Sequence, residues 1–164
     1  MKPDGYLCLD DYVTFMIVNL LKPALRAEDI YDFAARQKKF LMSREDSHGY
    51  YEIVFPVWTS RRPARVNDLL NGGSVYWIIK KHITCRQVIC DFVELEPEPG
   101  EENPSYLILC DPKLIRTELF PKRPFQGWRY LEPKDAPADI GEFDEEEERP
   151  PPEMEKDLTD LGLL

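Results

Sequence analysis

The sequence predicts an α+β domain with a mostly antiparallel sheet, and three observations carry that prediction. Runs rich in β-branched and aromatic residues recur between Val13 and Leu131. One stretch, residues 27–42, has the apolar spacing of an amphipathic helix. Eleven of the fifteen prolines fall from Pro97 onward, which excludes long helices from that part of the chain. The order is β-α-β-α followed by five strands, giving one longer and one short helix against a sheet that either stays open or becomes barrel-like.

Residues 1–12 read as an N-terminal extension. Residues 13–21 are nearly all apolar or β-branched, the mark of a strand covered on both faces. Within 27–42, Ile30, Phe33, Ala34 and Leu41 share one side, with Glu28, Asp29, Asp32, Lys38 and Lys39 elsewhere. Residues 43–49 are a polar loop. Residues 50–58 alternate as a second strand with Tyr51, Ile53, Phe55 and Val57 on one face, and Pro56 marks an edge. Val66, Leu69 and Leu70 form a short helix stopped at Asn71-Gly72-Gly73. Residues 74–80 and 83–95 are strands joined around Lys81-His82, and the acidic loop 96–104 leads to a strand at 106–110. Short strands at 117–120 and 128–131 complete a single domain over 13–140. Residues 136–152 are acidic, proline-rich and read as disordered, so 141–164 is an acidic tail, with a terminal helical turn marked by Met154, Leu158 and Leu161.

Charge is unevenly placed. The chain has 164 residues, with 21 Lys and Arg against 31 Asp and Glu, a net charge of −10. Residues 136–164 hold eleven acids against Arg149 and Lys156, and so account for nine of those ten charges. Residues 60–90 instead hold six cations against Asp68 alone. The early apolar run, residues 12–21, spans ten residues between Asp11 and Lys22, short of the ~20 a membrane span needs, and no basic segment precedes it. A soluble cytoplasmic protein without a membrane partner is expected.

Catalytic and metal chemistry find little support. Cys8, Cys85, Cys90 and Cys110 have neither the density nor the spacing of a disulfide framework or a zinc site, and read as reduced, buried and structural. His48 and His82 suit surface or turn positions. A nucleophile elbow, a P-loop and a dinucleotide glycine motif are all absent from the sequence. No catalytic residue, metal or cofactor is assigned.

Two basic segments remain. Arg61, Arg62 and Arg65 precede the short helix, and Gly72-Gly73-Ser74 either offers backbone N–H groups to a phosphate or merely ends that helix. Tyr76, Lys80 and Arg86 follow on the adjoining strands. The second segment runs from Lys122 and Arg123 through Phe125 and Gly127 to Trp128, Arg129 and Tyr130. Aromatic rings beside Arg and Lys are what a single-stranded nucleic-acid site uses, though Trp and Tyr are also large core residues.

The runs Asp68-Leu69-Leu70-Asn71-Gly72-Gly73-Ser74-Val75-Tyr76-Trp77-Ile78-Ile79-Lys80 and Pro124-Phe125-Gln126-Gly127-Trp128-Arg129-Tyr130-Leu131, with Arg86-Gln87, Asp111-Pro112, Thr117 and Asp135-Ala136-Pro137-Ala138-Asp139, resemble the alphaproteobacterial family catalogued as domain of unknown function 1489. The resemblance covers about residues 13–140 and departs at Lys81, where the family pattern has glycine. It implies a bacterial cytoplasmic protein and transfers no catalytic residue. The architecture is also similar to the PUA-like group of small β-pseudobarrels, which bind RNA or modified bases.

The expected function is a non-enzymatic binding module for RNA or a nucleotide. Phosphates would meet Arg61, Arg62, Arg65, Lys80, Arg86, Lys122, Arg123 and Arg129, backbone N–H groups would come from Gly72, Gly73 and Ser74, and Tyr76 or Trp128 would stack. One alternative is an adaptor that engages a protein partner through its acidic tail. The other is an enzyme whose pocket gathers Arg86, Asp111 and Arg129.

Overall fold

A computed structural model describes residues 16–147 and 160–161. The expected N-terminal extension and residues 148–159 of the acidic tail lie outside the described residues. The elements in order are β1 (Asn19–Pro23), α1 (Ile30–Lys38), β2 (Met42–Glu45), β3 (Tyr51–Thr59), α2 (Val66–Leu70), β4 (Ser74–Ile79), β5 (His82–Leu95), β6 (Ser105–Cys110), β7 (Ile115–Pro121), β8 (Arg129–Leu131) and β9 (Asp139–Glu142). A single 3₁₀ turn, Pro133–Asp135, separates the last two strands.

The path through the sheet is β2-β3-β6-β5-β4-β1-β8, with β7 on β5 and β9 on β7. Pairing is antiparallel throughout except for β1 with β4. Barrel closure, one of the two expected outcomes, is not realised: β2 and β8 end the path unpaired with each other. The reason lies in the chain after β8. Instead of supplying an edge strand, residues 132–138 cross one face of β1, β4 and β5 to reach β9 beside β7.

α1 starts where Asp29 caps it, the carboxylate accepting the Asp32 amide at 2.8 Å. It is shorter than its apolar spacing suggests. Leu41 lies past its end and is exposed, because Met42 already pairs with Val54. Residues 42–45 are therefore a strand rather than loop. Of the four residues expected on one face of β3, Tyr51 and Ile53 are exposed and Val57 is buried, while Val54 packs with Leu107 and Leu109 on the opposite face. Disorder from Ala136 is corrected too: Asp139–Glu142 pairs with β7, and Phe143 lies edge-on to Tyr31 of α1 at 5.1 Å.

Both faces of the central strands are covered. On one, Leu20, Val75, Trp77, Cys85 and Ile108 pack with Ile30, Phe33 and Ala34 of α1. On the other, Leu21, Tyr76, Ile78, Ile83 and Leu131 are covered by Phe125 and Ala136. Fully burying each large apolar side chain contributes about 1.5–3 kcal/mol. Gln87, wholly buried, fixes how α1 sits: it exchanges amide hydrogen bonds with Gln37 at 2.8 Å each way and accepts from the Trp77 indole at 2.9 Å.

Burial pushes the Cys85 and Cys110 thiols far above their usual range, as inert structural cysteines require. Cys90 differs from the buried expectation. The β5–β6 register slips between Ile89 and Asp91, leaving Cys90 out of the ladder and exposed.

Candidate nucleic-acid interface

Strand direction decides which cations meet. β1, β4 and β7 run in parallel to end at Pro23, Ile79 and Pro121, whereas β5 and β8 run against them and begin at that end. The registers Pro23↔Ile78, Ile79↔His82, His82↔Pro121 and Leu21↔Arg129 therefore place one end of the sheet beside residues 22–28, 80–82 and 121–129. Those segments carry Lys22, Arg26, Lys80, Lys81, Lys122, Arg123 and Arg129 against one acid, Glu28, which pairs with Lys80 at 3.2 Å. The Lys122 amide donates to the Lys81 carbonyl at 2.8 Å, tying the two basic loops together.

Backbone strain concentrates at the same end. Among the described residues, the non-glycine positions with positive φ are Arg26 (φ 64°) and Lys80 (φ 57°). Glycine or asparagine takes this conformation more cheaply. The two-residue turn between β4 and β5 places its left-handed residue at Lys80.

The expected stacking rings are not open. Trp128 is 6 % exposed and Tyr76 is 7 % exposed. The Arg61 guanidinium lies over the Trp128 ring at 3.9 Å, and the indole N–H donates to the Arg61 carbonyl at 3.2 Å. Arg129 covers Phe125 in the same way at 4.2 Å. What the sheet end offers a base is thus the plane of an exposed guanidinium backed by a ring, not the ring itself. Beside it lies a groove of 330 Å³ between Lys22, Pro23 and Leu25 on one side and Pro124, Phe125, Gln126 and Gly127 on the other. Lys22 is half-buried, and burial lowers its pKa.

The remaining predicted residues lie elsewhere. Arg65 is engaged by Asp68 at 2.8 Å and Glu132 at 2.9 Å. Arg62 sits over Phe92 at 5.7 Å. Gly73 is buried behind α2, while Gly72, Ser74, Tyr76 and Arg86 line a second groove toward the opposite end of β4. There Arg86 holds Asp139 with two contacts of 2.8 Å. The single concave seat expected from the sequence is two separate places. Arg86 lines the second groove, whereas Asp111 and Arg129 line neither groove. Lys22, Arg26 and Lys81 join the sheet end although sequence reasoning passed over them as ligands.

Arg86 holds the Asp139 carboxyl below the usual carboxylate range, chiefly through their hydrogen bonds. A carboxylate with a depressed folded pKa stabilises above its unfolded value, near ~3.9, and that contribution is lost as pH falls through the lower folded value. The protection factors of residues 139–142, exchange rates corrected for the intrinsic pH dependence, are therefore expected to hold from neutrality to about pH 4 and to fall below it, with Asp139→Asn removing that fall. Loss of protection already at pH 6 contradicts this assignment.

A family model described as protein of unknown function (DUF1489) matches residues 20–164. No curated protein and no solved structure matches the chain.

Proposed function

The chain belongs to the DUF1489 family, whose description assigns no function, and we propose that it is a non-enzymatic module that binds RNA through the basic end of its sheet. The observation that carries this reading is the convergence of seven cations from three distant segments, in a chain whose net charge is −10. Strands lie ~4.8 Å apart, so the five strand ends from β8 to β7 spread these cations over ~19 Å. A row of that length tracks several phosphates and favours a single strand over a lone nucleotide. Arg61 and Arg129 supply planes on which bases stack, and the groove beside Phe125 receives one of them.

The acidic loop with Glu96, Glu98, Glu101 and Glu102 follows the opposite end of β5 from the basic turn. The described start of the acidic tail lies away from the basic end as well: Glu142 pairs with Lys113 and Glu145 with Lys38.

Anisotropy of a labelled single-stranded RNA of about 12 nucleotides tests this on the full chain. Affinity is expected to fall with salt at a log–log slope of about −4, corresponding to some six phosphates on a single strand. A mononucleotide should bind more weakly. Absence of RNA binding at about 50 mM salt, or a slope near zero, refutes the proposal.

A further inference from the structure

The second groove, 340 Å³ in volume, lies on the face of the sheet opposite α1. Its floor is Asn19, Ser74, Tyr76 and Arg86, and one wall is the strap formed by residues 133–139. Arg86 Nε and Nη2 each reach one Asp139 carboxylate oxygen at 2.8 Å, and Nη1 donates to Ser74 Oγ at 2.8 Å. Ser74 is itself fixed, 1 % exposed, with its amide donating to Asn19 Oδ1 at 2.9 Å. The guanidinium plane is thus oriented from beneath by buried groups of the sheet.

We infer that this groove is an oxyanion site for a ligand carrying a carboxylate or a phosphate on a flat organic body, and that Asp139 is its resident stand-in. A two-oxygen anion already occupies the fork, so a ligand anion needs no rearrangement of Arg86 to replace it. The stand-in is easily displaced. Every residue of β9 is exposed and the strand is held on one side by β7 alone, so Asp139 can leave with its strand. Ser74 keeps its hold on Nη1 when Asp139 leaves, so the seat persists. The strap covers part of the floor through Ala136, and an open volume remains beside the ion pair, next to Tyr76. Burial raises the Tyr76 pKa, so its phenol stays protonated and able to donate to the ligand. None of the cations at the sheet end takes part, so this site stands or falls independently of RNA binding.

Benzoate and phenyl phosphate, which share a ring and differ in the anion, are titrated calorimetrically into the full chain and its variants. Asp139→Asn keeps the side-chain shape and removes the competing charge; it is expected to bind at least one probe about tenfold more tightly than the unsubstituted protein. Adding Arg86→Lys, which keeps the charge but not the fork, should abolish that gain. Preference between the probes identifies a carboxylate or a phosphate ligand. If Asp139→Asn binds neither probe more tightly, or Arg86→Lys leaves the gain intact, the inference is wrong. Should Asp139→Asn fold poorly, the Arg86 Nε–H resonance of the unsubstituted protein decides: a saturable shift with either probe supports the site, and no shift with both overturns it.

Discussion

Gly73→Ala is expected to destabilise the fold by about 3 kcal/mol or more, at the top of the usual range for overpacking. The cause is space rather than conformation, since Gly73 is not among the glycines with positive φ. A Cβ there would stand 2.3 Å from the Val18 carbonyl oxygen and 2.7 Å from that of Leu69. Both are backbone atoms, so no side chain can rotate away. Nor can the backbone of Gly73 retreat, because its amide donates to Leu69 at 2.9 Å and its carbonyl accepts from Ile89 at 3.0 Å. It sits where α2, the residue before β1 and β5 meet.

Gly72→Ala is the control. Its φ of 103° carries a strain of about 1–2 kcal/mol for an L-residue, but the added Cβ meets only the Ile17 side chain, at 3.8 Å. Denaturant unfolding should separate the two variants clearly. Equal stabilities would mean that Gly73 is not the close-packed contact described. The result also bears on function: Gly73 was a candidate phosphate contact by sequence, and its buried position makes it a residue of the scaffold.

Local patterning made much of this fold legible. The stop at Asn71-Gly72-Gly73 and the strands around Lys81-His82 follow from short-range chemistry that survives in three dimensions. The edge position expected from Pro56 does not hold, since β3 lies between β2 and β6, although β2 pairs only as far as Val54 and leaves Pro56 with β6 alone. The parallel contact of β1 with β4 does not follow from short-range chemistry, since it joins Pro23 to Ile78 across two helices and two strands. That contact brings Lys22 and Arg26 beside Lys80, which is why the sequence offered Lys80, Lys122, Arg123 and Arg129 as ligands but not their neighbours. Alternation along one strand does not show that Tyr76 and Arg86 are register partners. Nor could it show that the chain after β8 returns across their face, burying Tyr76 and placing Asp139 on Arg86. The fate of Trp128 was hidden for the same reason: its cover, Arg61, comes from 67 residues earlier.

Replacing Lys80, Lys81, Lys122 and Arg123 together by glutamine is expected to weaken single-stranded RNA binding by two to three orders of magnitude at about 0.1 M salt. On a single strand each neutralised phosphate contributes about 0.7 to the log–log salt slope, hence about 0.7 decade at that concentration relative to 1 M. Four lost contacts then account for nearly three decades and reduce the slope by about 3. The fold should tolerate the change. None of the four is buried, the backbone bond from Lys122 to Lys81 does not involve the side chains, and the ion pair given up is the exposed one between Lys80 and Glu28. Surface substitutions of this kind usually stay within about 0.5 kcal/mol each. Glutamine at Lys38, Lys39, Lys113 and Lys134 makes the same change in net charge away from the sheet end. If binding depended on net charge alone, the two variants would behave alike. If it depends on one row of cations tracking a strand, the first loses both affinity and slope, while the second keeps its slope and most of its affinity.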